Sequence, residues 1–167
     1  MNITSLIPCT KGNKEHYNAF ANLYSAYIDE LSAFSQRISK EEVSVSEIDF
    51  MWEAGNMEIL LITVDEEIVG FVVLGIHDNK HEASDYFVGE FYIAKSKQGQ
   101  GIGGATVKQL LNCRKGKYCM FILKKNERAI CFWRTAFAHE GYRDVSKDYH
   151  CASVPDDCYF KMYAPIN

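Results

Sequence analysis

Long apolar runs are missing from this chain of 167 residues. A run such as Ile59 to Val64 falls far short of the ~20 residues that cross a bilayer, so no membrane association is expected. The start, Met1-Asn2-Ile3-Thr4, has neither a basic stretch nor an apolar signal core, so no export signal is read and a cytoplasmic location is expected. Proline is scarce (Pro8, Pro155 and Pro165), and repeats, low-complexity tracts and linker composition are all lacking. One domain spanning 1–167 is expected. Clustered cysteine is also lacking. Cys9, Cys113, Cys119, Cys131, Cys151 and Cys158 are scattered, mostly inside apolar segments, with no C-x-x-C pair. That spacing suits neither a disulfide framework nor zinc, and reduced thiols packing as small hydrophobes are expected, with no metal. A basic stripe is missing too. The net charge is -4, and the basic clusters are short, Arg114-Lys115-Gly116-Lys117 and Lys124-Lys125. Nucleic acid is therefore not an expected partner, and an acidic surface leans weakly toward cationic ones such as amines.

What is present is a core-forming composition. The hydrophobic share is 47%, ordinary for a globular chain and too high for disorder. Ile3 to Pro8 reads as a short strand. From Glu15 to Phe34, Tyr17, Phe20, Ala21, Tyr24, Tyr27, Ile28, Leu31 and Phe34 recur at helical steps. A second helix is predicted over about Lys40 to Ala54, ended by Gly55-Asn56. Met57 to Val64 and Ile68 to Ile76 read as a hairpin around Asp65-Glu66-Glu67. Tyr86 to Ala94 follows a polar loop as a third β-rich run. Ala105 to Cys113 reads as a helix, Tyr118 to Leu123 as a strand and Glu127 to His139 as a helix. Two last strands, about Tyr142 to Cys151 and Cys158 to Tyr163, flank Pro155-Asp156-Asp157. The order β-α-α-β-β-β-α-β-α-β-β is that of an α+β, mixed α/β domain.

The informative stretch is Tyr92-Ile93-Ala94-Lys95-Ser96-Lys97-Gln98-Gly99-Gln100-Gly101-Ile102-Gly103-Gly104. A strand enters a glycine-rich turn and a helix leaves it at once. Glycine is costly inside regular structure, so this density suggests a close approach of backbone or ligand. Helix starts expose unpaired N–H groups and the positive end of the helix dipole, which together favour an anion, most plausibly phosphate. Gly99, Gly101 and Gly104 fit the dinucleotide pattern G-x-G-x-x-G, but the acidic residue that holds the ribose is absent from Tyr118 to Lys125. Too little chain follows for a doubly wound sheet. A Walker-type loop needs Gly-Lys-Ser/Thr, and here Ala105 follows Gly103 and Gly104.

A third pattern, Gln/Arg-x-x-Gly-x-Gly/Ala, is met by Gln98, Gly101 and Gly103. With it the chain resembles the Gcn5-related N-acetyltransferase (GNAT) family. Glu90-Phe91-Tyr92-Ile93 resembles the family's fourth strand, Asn126-Glu127-Arg128-Ala129-Ile130-Cys131-Phe132-Trp133 its Asn-x-x-Ala-x-x-Phe-Tyr segment, and Gly141-Tyr142 its later Gly-Phe. The likeness covers about Phe71 to Tyr142, and the preceding helix pair fits the family's order. It implies a central mixed sheet of about 6–7 strands flanked by about 4 helices. It also implies acetyl-CoA as co-substrate, held by Phe91, Tyr92 and Ile93, by the turn Gln98, Gly99, Gln100, Gly101, Ile102, Gly103 and Gly104, and by Asn126, Phe132 and Trp133. Asn126 equally suits the cap of the helix that begins near Glu127, and the two roles are compatible.

The resemblance departs at Trp133, where many relatives carry a Tyr that protonates the leaving thiolate. Indole donates a hydrogen bond but is no usable acid, so Tyr92, Tyr142 or another group serves, or the thiolate, of pKa near 8.5, leaves unassisted. For the base the candidate is Glu90, on the fourth strand; alternation puts it on the opposite face from Phe91 unless a bulge intervenes. His77, His81, His139 and His150 have no motif behind them. The family's acceptor pocket maps onto Tyr24, Tyr27, Asp29, Glu30, Asp156 and Asp157, a set suited to a cation. The expected activity is acetyl transfer to a primary amine of a small molecule or peptide, with homodimerisation left open. The alternatives are a non-catalytic CoA- or acyl-CoA-binding module, and transfer of a longer acyl chain.

Overall fold

The computed structural model describes residues 4–39, 44–77 and 83–167. Its elements are β1 (Thr4–Pro8), α1 (Lys14–Ser32), α2 (Val45–Glu53), β2 (Met57–Val64), β3 (Glu67–Ile76), β4 (Tyr86–Ile93), α3 (Ile102–Cys113), β5 (Tyr118–Leu123), α4 (Glu127–His139), β6 (Tyr142–Asp144) and β7 (Cys158–Pro165), with short 3-10 turns at Lys95–Lys97 and Ser146–Asp148. One seven-stranded sheet runs β1-β2-β3-β4-β5-β7-β6. Every pairing is antiparallel except β4 with β5. This is the mixed α+β architecture expected from the sequence.

Helices cover both faces, which explains why β2 and β3 are apolar at nearly every position. On one face Phe20 and Tyr24 of α1 and Ile48 and Met51 of α2 pack on Ile59, Leu61, Phe71 and Val73. On the other, Val107, Leu110 and Leu111 of α3 and Phe137 of α4 meet Leu60, Ile62, Val72 and Leu74. The alternation along Ile59, Leu60, Leu61 and Ile62 thus feeds two separate cores.

Local chemistry sets the ends. Asn13 caps α1 through His16 N–H, and Ser44 with Glu47 forms a capping box on α2. The start of the predicted second helix, 40–43, lies outside the described residues. The β2–β3 turn is two residues, not three. Asp65 and Glu66 both take positive φ, 48° and 71°, as a tight hairpin turn demands, and Glu67 already belongs to β3. The predicted strand from Tyr142 ends early, at Asp144, because the Asp144 carboxylate accepts the Ser146 backbone N–H and hydroxyl and bends the chain. No disulfide joins the six cysteines. Cys9, Cys119 and Cys158 are buried as expected, whereas Cys113 and Cys131 are exposed.

Candidate active site

The site begins with a defect in the sheet. β4 and β5 pair only at Tyr86–Tyr118 and Phe87–Cys119. Beyond Phe87 the two strands diverge, so β4 keeps β3 on one side and shows an unpaired main-chain edge on the other. Buried edges must find partners. Here the edge borders a cavity of about 310 Å³ that runs through the sheet. It is lined on the α4 side by Phe91, Asn126, Ala129 and Trp133 and on the α1 side by Tyr27, Ile28, Leu31 and Glu90.

A bulge decides which groups reach which face. Val73 pairs with Glu90 but Leu74 pairs with Val88, leaving Gly89 as the extra residue. Val88, before the bulge, packs in the α3/α4 core, and so does Phe91 after it. Without the insertion Glu90 would share the face of Val88; with it, Glu90 turns toward α1. There the Tyr27 hydroxyl donates to Glu90 Oε2 at 2.5 Å. Burial pushes the Glu90 carboxyl up to about 7, opposed by the hydrogen bond from Tyr27. The Tyr27 phenol is itself driven well above its ordinary value, by burial first and then by the charge of Glu90. Tyr27 is braced edge-on by Phe71, with ring centroids 5.6 Å apart.

At the C-terminal end of β4 the glycine turn divides its labour. Gly99 and Gly101 hold left-handed backbone, φ 76° and 80°, which only glycine adopts without strain. Gly103 serves packing, since a Cβ there would stand 3.0 Å from the Phe132 ring. Gly104 is exposed, with nothing near its absent Cβ. The first two glycines form the loop and the last two lie in α3, which begins three residues earlier than its apolar spacing suggests. Gly101 caps α3 without a side-chain bond, so the N–H groups of Ile102, Gly103 and Gly104 lack an acceptor one turn back. That is a cradle for an anion. Gln98 holds it in place: its Nε2 donates to the Ile93 carbonyl at 2.8 Å and to Glu30 at 3.4 Å, and its Oε1 accepts from Arg128.

A turn of unpaired helix-start N–H groups, an open strand edge and a buried carboxylate lie along one strand. The model of the Acetyltransferase (GNAT) family matches residues 20–137, from within α1 to within α4, and takes in every group just described. The chain belongs to the GNAT acetyltransferase family. No curated protein sequence matches it. Among solved structures, an acetyltransferase from Thermus thermophilus is 17% identical with a TM-score of 0.62, covering 98% of this chain and 97% of that one. The spermidine N-acetyltransferase from Vibrio cholerae, in complex with CoA and spermine, is 14% identical with a TM-score of 0.63 over 96% and 94%. A GNAT family acetyltransferase from Elizabethkingia anophelis with acetyl-CoA bound is 16% identical with a TM-score of 0.58, over 98% of both chains. Likeness at these identities speaks to the fold.

In this acetyltransferase the residues singled out from sequence fall into three groups. Glu90, Phe91, Asn126, Trp133 and Tyr27 line the cavity. Asn126 spends its carbonyl oxygen capping α4 at Ala129 N–H, and Phe91 and Phe132 pack at 5.6 Å between centroids. A second group braces the cradle from behind. Tyr92 is buried on the α1 face and donates to Glu30 at 3.0 Å, so Glu30 ties both Tyr92 and Gln98 to α1. Ile93 and Ile102 are buried in the α3/α4 core, and exposed Gln100 donates to Ser96. The third group lies away from the cavity lining. Tyr24 is in the core beneath α1, Asp29 is exposed, and the Asp156 carbonyl holds Lys124. Asp157 is occupied by Ser35 and Arg37. Tyr142 is buried under α4 against Phe137. His139 and His150 are exposed, His77 bonds Ser84, and His81 lies outside the described residues. Two groups in the lining had no sequence signal, Arg37 and Cys158. Arg37 is held there by its ion pair with Asp157, at 2.9 Å, and Cys158 by the pairing of β7 with Leu123 of β5.

Proposed function

We propose that this acetyltransferase is a single-domain enzyme that carries an acetyl group from acetyl-CoA directly to a primary amine of a small molecule or peptide, with Glu90 as general base. The observation that carries the reading is the cavity through the β4–β5 gap, which joins the anion cradle's strand to a buried carboxylate. Acetyl-CoA fits the residues present. The N–H groups of the Gly99 to Gly104 turn suit its pyrophosphate, where Gly101 and Gly104 leave open space. The unpaired edge of β4 beyond Phe87 suits the amide-bearing pantetheine arm, and Phe91, Phe132 and Trp133 give it an apolar wall. When bound, it supplies an activated acetyl thioester.

The chain's own residues then handle protons and charge. An amine of pKa about 10.4 is neutral in only about one molecule in a thousand at pH 7.4, a barrier of roughly 4 kcal/mol. Glu90, whose carboxyl burial pushes up to about 7, titrates close to physiological pH, where a general base works best. It takes the amine proton on the α1 side of the sheet. Main-chain N–H groups on the open edge of β4 polarise the thioester oxygen without any reorganisation. Neither Tyr92 nor Tyr142 lines the cavity, so the thiolate leaves unassisted by either.

Calorimetry with acetyl-CoA, followed by thiol release over a panel of amines, tests the proposal. Wild type should bind saturably, and Gly101→Asp should lose binding, because it sets a side chain and a negative charge in the cradle. No binding by wild type refutes the reading. Trp133, an indole where a phenol acid is common, favours a second reading as a non-catalytic CoA-binding module. That module would bind and never release thiol.

A further inference from the structure

We infer that the acceptor carries a carboxylate on an apolar frame besides its reactive amine, and that Arg37 receives that carboxylate. The inference rests on the acyl-transfer reading above and names the class of acceptor. Glu90 and Arg37 are the only charged side chains among the described residues lining the cavity. The amine belongs with Glu90, so the rest of the acceptor meets a cation. Arg37 lies in the segment after α1, and its guanidinium is fixed from behind. Asp157 Oδ1 accepts from Nε at 3.3 Å and from Nη2 at 2.9 Å, and Nη2 also reaches Cys158 Sγ at 3.8 Å. Asp157 is steadied in turn by the Ser35 hydroxyl. Ser35 and Arg37 hold the Asp157 carboxyl down to about 2, so it stays an anion at every working pH.

Asp157 itself does not line the cavity. It orients the guanidinium while Nη1 makes no hydrogen bond within the described residues. An oriented guanidinium with a free N–H edge is the donor that planar carboxylates select. The other titratable groups in the lining offer no competing anion: the Cys158 thiol and the Tyr27 phenol are both pushed up and stay neutral. Ile28, Leu31 and Ile38 complete the α1 side and suit an apolar frame between the two charged ends. A polyamine would set its second ammonium against Arg37, which disfavours it.

The test is thiol release from acetyl-CoA with matched acceptors: 6-aminohexanoate against 6-aminohexanamide, phenylalanine against phenylalaninamide, and spermidine. The carboxylate member of whichever pair turns over should exceed its amide about tenfold or more in kcat/KM, the size of one charge-assisted contact. Arg37→Gln should bring it down to the level of the amide, with acetyl-CoA affinity unchanged, and Arg37→Lys should keep part of the preference. Turnover confined to amides or spermidine, or an Arg37→Gln effect equal on both members of a pair, overturns this inference alone. Acetyl-CoA binding with no thiol release from any acceptor overturns the transfer reading and this inference together.

Discussion

Replacing Glu90 by Gln separates what the carboxylate does for the reaction from what it costs the fold. The amide keeps the shape and still accepts from Tyr27, but it does not titrate. Burial raises the Glu90 carboxyl from its ordinary 4.5 to about 7, so between those values the native protein holds a proton that the unfolded chain has released. Stability therefore falls as pH rises through that window, and the whole cost is present above about pH 7. At 1.36 kcal/mol per pH unit the cost is about 3 kcal/mol. Glu90→Gln should be more stable than wild type at pH 8 by up to about 3 kcal/mol, and the gap should close by about pH 4. In a domain of this length that is a rise of several degrees in Tm at pH 8. Urea unfolding followed by circular dichroism at the two pH values reads it directly. Thiol release should fall on the order of a hundredfold at neutral pH, the contribution of a general base, with acetyl-CoA affinity preserved. A stability difference that does not depend on pH would refute the buried-carboxylate argument. Unchanged turnover would remove Glu90 from the role of base.

Two further substitutions probe its surroundings. Tyr27→Phe removes the hydrogen bond that opposes the upward shift of Glu90; since such a bond to a charged group contributes about 1.5–3 kcal/mol, the acid limb of kcat should move up by roughly one to two pH units, and a limb that stays in place or moves down contradicts the assignment. Gly103→Ala sets a methyl 3.0 Å from the Phe132 ring; the clash, about 1–3 kcal/mol, outweighs the gain of roughly 1 kcal/mol in helix propensity, so a net loss in urea unfolding is expected, much of it recovered when Phe132→Leu is added.

The fold was legible wherever one physical cause governs the pattern. β2 and β3 are apolar at nearly every position because helices cover both faces, and α1 and α4 show their buried stripes at helical spacing. Sequence reading failed where a side chain overrides the backbone pattern, as at Asp144, or where glycines sit inside a helix for packing, as at Gly103. The glycine turn was legible because its geometry is local: Gln98, Gly99 and Gly101 act within a few residues of one another. The acceptor side was not, because it is assembled over distance. Arg37 is held at the cavity by Asp157, 120 residues away, and Glu30 and Asp157 are committed to intramolecular partners. Glu90 falls between these cases. Its residue type suggested a base, but its direction depends on one inserted residue. Gly89 reverses the alternation of β4, which carries Glu90 to the α1 side while Phe91 stays with α4. The same strand thereby presents a carboxylate to one face and an apolar wall to the other, with its unpaired edge between them. On the direct transfer proposed above, that division would let two substrates approach from opposite faces of the sheet and meet at the gap, so the bulge would matter more than any single side chain.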